Sequence, residues 1–287
     1  MAAIVVITHH YDVPMLTSET EDGLASPYML GPIVVELARR GHRVTIANGV
    51  PAQNVAADIA ILHVDFTVVP PEYLDFAASF PICLNGKVGT IAKRAVADGL
   101  VRQNTDWAGP VIVKTDLNCR GAPELRANKL AELTNVPLPF PNVTALSDYL
   151  TFASAAAVPG AYWLNDGLVV QKFLPERLAD GFGIRFWTFL GHVERCDLCV
   201  SSSALVKAAT TMRLESSPVP EQLRALRKRL GLDYGKIDFV IHDGRPVVMD
   251  VNKTVGMPPS KKGSDWPSKY ADGVEKYLSL LGAAFRS

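Results

Sequence analysis

The chain has 287 residues, with 29 basic and 29 acidic side chains and 48% hydrophobic residues. That length supports a sizeable core and two or three subdomains. The balanced charge gives no field that would favour nucleic acid or an anionic membrane. The apolar content, with no polar low-complexity run, excludes a disordered chain.

The opening apolar run, residues 2–7, is too short to span a bilayer and follows no cationic stretch, so it reads as a buried first strand of a cytoplasmic protein. A strand is expected over residues 3–8 and a polar loop from His9 to Ala25. A helix is expected over 27–40, stopped by Gly41, and further strands over 43–47, 59–63 and 80–84. Strand–helix–strand with short loops predicts a parallel βαβ unit. His9, His10, Tyr11 and Asp12 then lie past the end of the first strand, where open α/β sheets place ligands; a polar surface loop is the other reading.

A helix is expected over 87–102, followed by a strand ending at Lys114 and a polar turn from Thr115 to Gly121. Helices are expected over 124–133 and 147–157, and a strand over 168–175. Strands over 183–189 and 195–201 flank a Gly191-His192 turn. A helix over 221–230 stops at Gly231, and a last helix spans 271–281. Cys196 and Cys199 have the spacing of a metal or redox pair, but no second pair at matching spacing completes a zinc site.

The stretch 236–256 carries the strongest signal. Ile237, Phe239 and Ile241 alternate with Asp238, Val240 and His242, and after Asp243-Gly244-Arg245 the alternation resumes through Asn252. A three-residue loop sets Phe239 opposite Met249 and Asp238 opposite Asp250, with Asn252 on the same face. Like charges directly opposed across a ladder repel. Either they sit in open water or a cation lies between them, and two carboxylates with an amide oxygen suit Mg²⁺.

Four features occur in order: a lysine ending a strand (Lys114), a strand closing with Gln171-Lys172-Phe173-Leu174, an arginine within a strand (Arg185), and the acidic hairpin. Over residues 85–257 this order resembles the ATP-grasp superfamily, especially its RimK-like and D-alanine–D-alanine ligase-like members. The resemblance implies an α/β chain, α+β in its C-terminal part, in which an ATP-grasp fold follows a small Rossmann-like parallel-sheet domain. The corresponding divisions are 1–84, 85–170 and 171–287.

The resemblance also implies roles. Lys114 and Lys93 (with Lys87 competing for the second place) would contact ATP phosphates. Lys172 and Leu174 would hydrogen-bond the adenine edge through the main chain, with Gln171 reaching the amino group and Phe173 adding apolar contact. Arg185, with Arg213 or Lys207, would steady an acyl phosphate, unless Arg185 is a structural arginine stacked among Trp187 and Phe189. Asp238, Asp250 and Asn252 would hold Mg²⁺, or Mn²⁺ in its place, and Asn252 would also face the acceptor.

The reaction implied is ADP-forming ligation of a small-molecule or peptide carboxylate to an amine. A small-molecule kinase and a non-catalytic ATP-binding module are the alternatives. Lys253, Lys261 and Lys262 fit either an anionic substrate or a solvated loop. A homodimer is the commonest assembly for such an enzyme. Three departures stand out: the turn 115–121 is short of glycine, Gly183 stands where an acid commonly precedes the arginine, and Asp250 replaces the usual Glu.

Overall fold

A computed structural model describes residues 1–16, 26–53, 55–207, 210–257 and 265–284. Lys261, Lys262 and residues 17–25 of the expected loop lie outside them.

The first strand, β1 (Ala3–Thr8), is buried from Ile4 onward. Helix α1 (Leu30–Arg39) leads to β2 (Arg43–Asn48), and β3 (Ile59–Leu62), α2 (Pro71–Ala78) and β4 (Cys83–Leu84) follow. The four strands form a parallel sheet of order β2-β1-β3-β4. Helix α1 starts three residues later than expected because Tyr28 is already committed to a bridge with Gly256, and the Met29 N–H donates to the Val255 carbonyl at 2.8 Å.

The expected helix over 87–102 is not there. Only α3 (Lys93–Val96) turns; Thr90 bridges Val68 and Leu100 bridges Gln171, while Gly99 takes a left-handed φ of 70°. These pairings, together with burial of Val88, Ile91 and Val96 under the large antiparallel sheet, override the helical pattern.

Next come β5 (Val111–Thr115), α4 (Ala122–Leu133), β6 (Leu150–Phe152), the one-turn α5 (Gly160–Trp163) and β7 (Leu168–Lys172). The order β6-β5-β7 makes a three-stranded antiparallel sheet. The helix expected over 147–157 is instead β6 and a short 3-10 turn: β5 would otherwise present an unpaired edge, and Leu150 and Phe152, two apart, both pack on that sheet's core.

The remaining strands are β8 (Glu176–Leu178), β9 (Gly181–Leu190), β10 (Val193–Ser201), β11 (Thr211–Ser216), β12 (Tyr234–His242) and β13 (Arg245–Asn252). They form a six-stranded antiparallel sheet of order β11-β10-β9-β12-β13, with β8 on β9. Helix α6 (Glu221–Leu230) spans the expected residues and ends at Gly231 in a left-handed conformation, φ 68°. Cys196 and Cys199 are free thiols across from Trp187 and Ile184 respectively, so they face opposite sides of this sheet and form no pair.

Helix α7 (Trp266–Ala284) returns to the parallel sheet. Trp266, Tyr270, Ala271 and Val274 enter the same core as Ile4, Leu30 and Ile33, and Arg40 ion-pairs with both Asp272 and Glu275 at 2.7 Å. No helix among the described residues is long and apolar enough to cross a membrane.

The two antiparallel sheets are clasped at the β13 edge. Asp98 accepts from the Val248 N–H at 2.9 Å and its own N–H donates to the Val248 carbonyl at 2.9 Å. The Gln171 amide nitrogen bridges the Asp98 and Val248 carbonyls at 2.7 and 3.3 Å. Asp98→Ala leaves the Val248 N–H without its acceptor, and urea unfolding should show a loss of about 1 kcal/mol, larger than that of Asp98→Asn, which keeps an oxygen there.

Candidate active site

The β12–β13 turn has two residues, not three: His242 pairs with Arg245, and Asp243 and Gly244 are both left-handed, φ 49° and 72°. This is the mirror-image turn that suits strand twist. Alone it would set Asp238 against Met249. A β-bulge between Asp238 and Phe239 corrects the register, so Phe239 pairs with Val248 and Asp238 with Asp250. Between the turn and the bulge, Val247, Val248 and Met249 change face relative to the expected alternation. Val248 joins Phe239 and Val251 in the core beneath the sheet, while Met249 joins Val240 and Leu174 on the cleft side.

Asp238 and Asp250 therefore share one face, with Lys236 and Asn252 the next pair along it. The Lys236 ammonium lies 3.0 and 3.1 Å from the two Asp238 oxygens. Lys93, buried at 1% exposure, lies 3.5 Å from Asp250 and donates to the Leu117 carbonyl at 2.8 Å. Buried Lys114, from β5, reaches the Met249 carbonyl at 3.5 Å and lies 5.7 Å from the Tyr149 ring centroid. Lys87, the competing lysine, is exposed.

Burial lowers the Lys114 ammonium to about 8, with Lys93 adding to the fall and Asp250 and Asp238 opposing it. Burial raises the Asp238 carboxyl and Asp250 raises it further, while Lys236 pulls the other way. For Lys236 burial acts to lower the pKa, but Asp238 outweighs it and the ammonium is held above its usual range. Lys236 sits on the same two-residue alternation as Asp238, so its place on the acids' face was legible in the sequence.

At the end of β7, the Lys172 N–H is already committed to the Gly99 carbonyl at 2.8 Å and the Phe173 N–H to Pro110 at 2.9 Å. The Leu174 N–H has no acceptor among the described residues. The Gln171 nitrogen is spent on the clasp, and its buried oxygen has no partner among those residues.

Arg185 is not brought to the acids. Arg185 pairs with Phe239 and Phe186 with Asp238, so Arg185 occupies the opposite face of the sheet. There it donates to both oxygens of Glu176 at 3.2 Å and to the Ser217 hydroxyl. Glu176 also accepts from the Ile241 N–H at 2.7 Å. Glu176 lies directly across the ladder from Gly183, so the acid missing there in sequence is supplied in space from β8.

Arg213 shares that far face, across from Val200, and pairs with exposed Asp180 and Glu215. Lys207 pairs with exposed Asp148 at 2.6 Å. Lys253 belongs to neither reading given for it. It is 2% exposed, and its ammonium donates to the carbonyls of Val64 and of Phe66, the latter at 2.6 Å.

The loop after β1 joins the same junction. Asp12 accepts from the N–H groups of His9 at 2.8 Å and Asp65 at 3.2 Å, and Asp65 accepts from Thr254 at 2.6 Å, Tyr28 at 3.0 Å and Arg126 at 3.1 Å. This loop therefore positions the junction between the parallel sheet and the end of the hairpin.

These three sheets and their cleft define an ATP-grasp fold. No family model and no curated protein matches the sequence, but solved structures match over nearly the whole chain. A Chryseobacterium gregarium RiPP-associated ATP-grasp ligase, in complex with ADP and a leader and core peptide, is 10% identical, with TM-score 0.53 over 95% of this chain and 96% of that one. The ATP-grasp ligase PsnB, complexed with a phosphomimetic variant of minimal precursor, Mg and ADP, is 9% identical, with TM-score 0.52 over 97% and 98%. A Bacillus anthracis D-alanine–D-alanine ligase is 13% identical over 98% and 97%, at TM-score 0.49, an overlap too loose to carry weight.

The residues present suit a divalent cation. Among the described residues no three His, Cys, Asp or Glu side chains gather as a metal site; the third candidate here is an amide. Asp238 Oδ1 is buried and accepts no well-directed hydrogen bond, despite the nearby Lys236, and the Asn252 amide makes none to described residues. Two hard carboxylates and an amide oxygen on one face are a Mg²⁺-type donor set.

Asp12 supplies a pH test away from these ligands. Burial raises its carboxyl to about 7, and the nearby Asp65 charge adds to this. A raised acid holds its proton in the folded state while the unfolded chain has lost it, so its contribution is full below about 4 and is lost as pH rises to about 7. Asp12→Asn keeps an acceptor oxygen, so wild type should lose roughly 3 kcal/mol relative to this variant between those pH values, read from unfolding curves.

Proposed function

We propose that the protein is an ATP-dependent ligase that activates a carboxylate and joins it to an amine. The observation that carries this reading is the convergence of three lysines from three elements, Lys93, Lys114 and Lys236, on the opposed pair Asp238 and Asp250. Three cations against two anions leave an excess positive charge in a partly buried cleft, which suits a polyphosphate. A purely structural sheet has no use for it.

In this reading Lys114 and Lys93 hold the phosphates as point charges. The unpaired Leu174 N–H meets the adenine edge, and Gln171 fixes the clasp that shapes the slot instead of reaching the base. Asp238, Asp250 and Asn252 would hold Mg²⁺, or Mn²⁺ in its place, which when bound supplies charge neutralisation at phosphate oxygens. A carboxylate oxygen of the substrate attacks the γ-phosphorus as the bond to ADP breaks. The amine nitrogen then attacks the acyl carbon, phosphate leaves with the C–O bond electrons, and the amine loses a proton. Lys236, not Arg185, offsets the charge that develops on the transferring phosphoryl oxygens, because only Lys236 shares the acids' face.

The substrate is a small-molecule or peptide carboxylate with an amine acceptor, chosen by loops and the first domain and not by the fold. The domain divisions 1–84, 85–170 and 171–287 are proposed with it. Screening carboxylates and amines should yield ADP, free phosphate and an amide only when both substrates are present. Lys236→Met should lower turnover by about a hundredfold or more, as loss of one preorganised charge does. Arg185→Met should cost stability instead, about 3–5 kcal/mol, by stranding Glu176. AMP as product, or a phosphorylated substrate that accumulates without needing an amine, would contradict the ligase reading.

A further inference from the structure

The reaction above leaves Tyr149 without a task, although this side chain faces the same cleft. Val113 pairs with Leu150, so one step along the ladder Tyr149 falls opposite Lys114. Both lie on the face of the three-stranded sheet that carries Ile112 and Gln171. The 5.7 Å between Lys114 Nζ and the Tyr149 ring centroid fits that placement. Tyr149 is half-buried, yet its hydroxyl makes no hydrogen bond to described residues and stays open to solvent.

The backbone before the ring is pinned from two directions. Arg120 and its neighbour Cys119 are both left-handed, φ 59° and 47°, and Arg120 donates to the Ser147 carbonyl at 2.6 Å. Neither is a glycine, so the turn carries backbone strain in reaching this contact. Asp148 accepts from the Tyr149 N–H at 2.8 Å and pairs at 2.6 Å with Lys207, from the β10–β11 connection.

A ring needed only to cover the lysine could be a phenylalanine. The phenol adds a free donor to the cleft. Burial pushes that hydroxyl up to about 12 and the Asp250 charge adds to this, so it stays protonated. Sheet order then decides which phosphate it can meet. In the order β6-β5-β7, β7 leads to the base end at Leu174, β5 carries Lys114, and β6 lies beyond, away from the base. Each strand step is about 5 Å. Resting on the nucleotide reading above, we propose that the Tyr149 hydroxyl donates a hydrogen bond to the terminal phosphoryl group, the one transferred to the carboxylate. The phenol gives up no proton; its O–H dipole offsets charge on the phosphoryl oxygens while the bond to ADP breaks.

The test is calorimetry on the full chain with two probes, Mg-ADP and the magnesium complex of the imido analogue of ATP. The second keeps a terminal phosphoryl group and resists hydrolysis. Tyr149→Phe keeps the ring beside Lys114 and removes only the hydroxyl. It should weaken the imido analogue about tenfold or more, the scale of a hydrogen bond to a charged group, and leave ADP affinity unchanged. Without nucleotide it should melt at the wild-type temperature, because the hydroxyl has no partner among the described residues. Equal losses for the two probes, or no loss of either, would overturn the assignment and leave the nucleotide site standing. A lower melting temperature of Tyr149→Phe without nucleotide would also overturn it, since the hydroxyl would then be spent within the protein. Failure of both probes to bind wild type would overturn the nucleotide reading and this assignment together.

Discussion

Two carboxylates held opposite each other on adjoining strands repel, and much of this molecule's central geometry answers that repulsion. Asp238 and Asp250 face one another across the β12–β13 ladder, and lysines arrive from three separate places: Lys236 along the same strand, Lys93 from a single helical turn, Lys114 from the end of β5. None of these ammonium groups cancels the pair alone. Together they make a partly buried site with a small positive excess, and burial strengthens every charge interaction within it.

That pairing depends on one extra residue in β13. Without the bulge the two-residue turn would set an aspartate against a methionine. The turn already puts Val248 in the core and Met249 toward the cleft, and the bulge then brings Asp250 opposite Asp238. The clasp from Asp98 and Gln171 grips Val248, a residue of the bulge itself, so the register of the acids and the spacing of the two antiparallel sheets are set at one point. The far side of the same sheet carries a separate charge system. Arg185 and Glu176 satisfy each other there, and with the Ile241 N–H they hold β8, β9 and β12 together.

Much of this was legible in the sequence. The parallel unit, the end of β7, helix α6 and the opposition of Asp238 to Asp250 all follow from local periodicity and turn residues. The acid pairing was nonetheless reached through the wrong loop, since a two-residue turn plus a bulge places the acids as a three-residue loop would. The expected helices over 87–102 and 147–157 failed where tertiary pairing decided: Leu100 and Leu150 are spoken for by neighbouring strands, which no local pattern reveals. Arg185 was placed by its order along the chain, but a strand's alternation sends it to the face opposite Asp238, and that parity is fixed only once the β9–β12 register is known. Glu176 was invisible for the same reason, lying seven positions before Gly183 in sequence yet directly across the ladder from it.

The most direct test of the central claim, that the opposed aspartates and their lysines are a nucleotide–metal site, is thermal unfolding of wild type and Asp250→Asn, each with and without ATP and Mg²⁺. Ligand at about a hundred times its dissociation constant stabilises by roughly 2.7 kcal/mol, which is several degrees at about 2–4 °C per kcal/mol for a chain of this size. The account predicts a Mg²⁺-dependent rise in wild type that shrinks in the variant. A rise of equal size in both would remove Asp250 from the site, and no rise at millimolar ATP would contradict the claim outright.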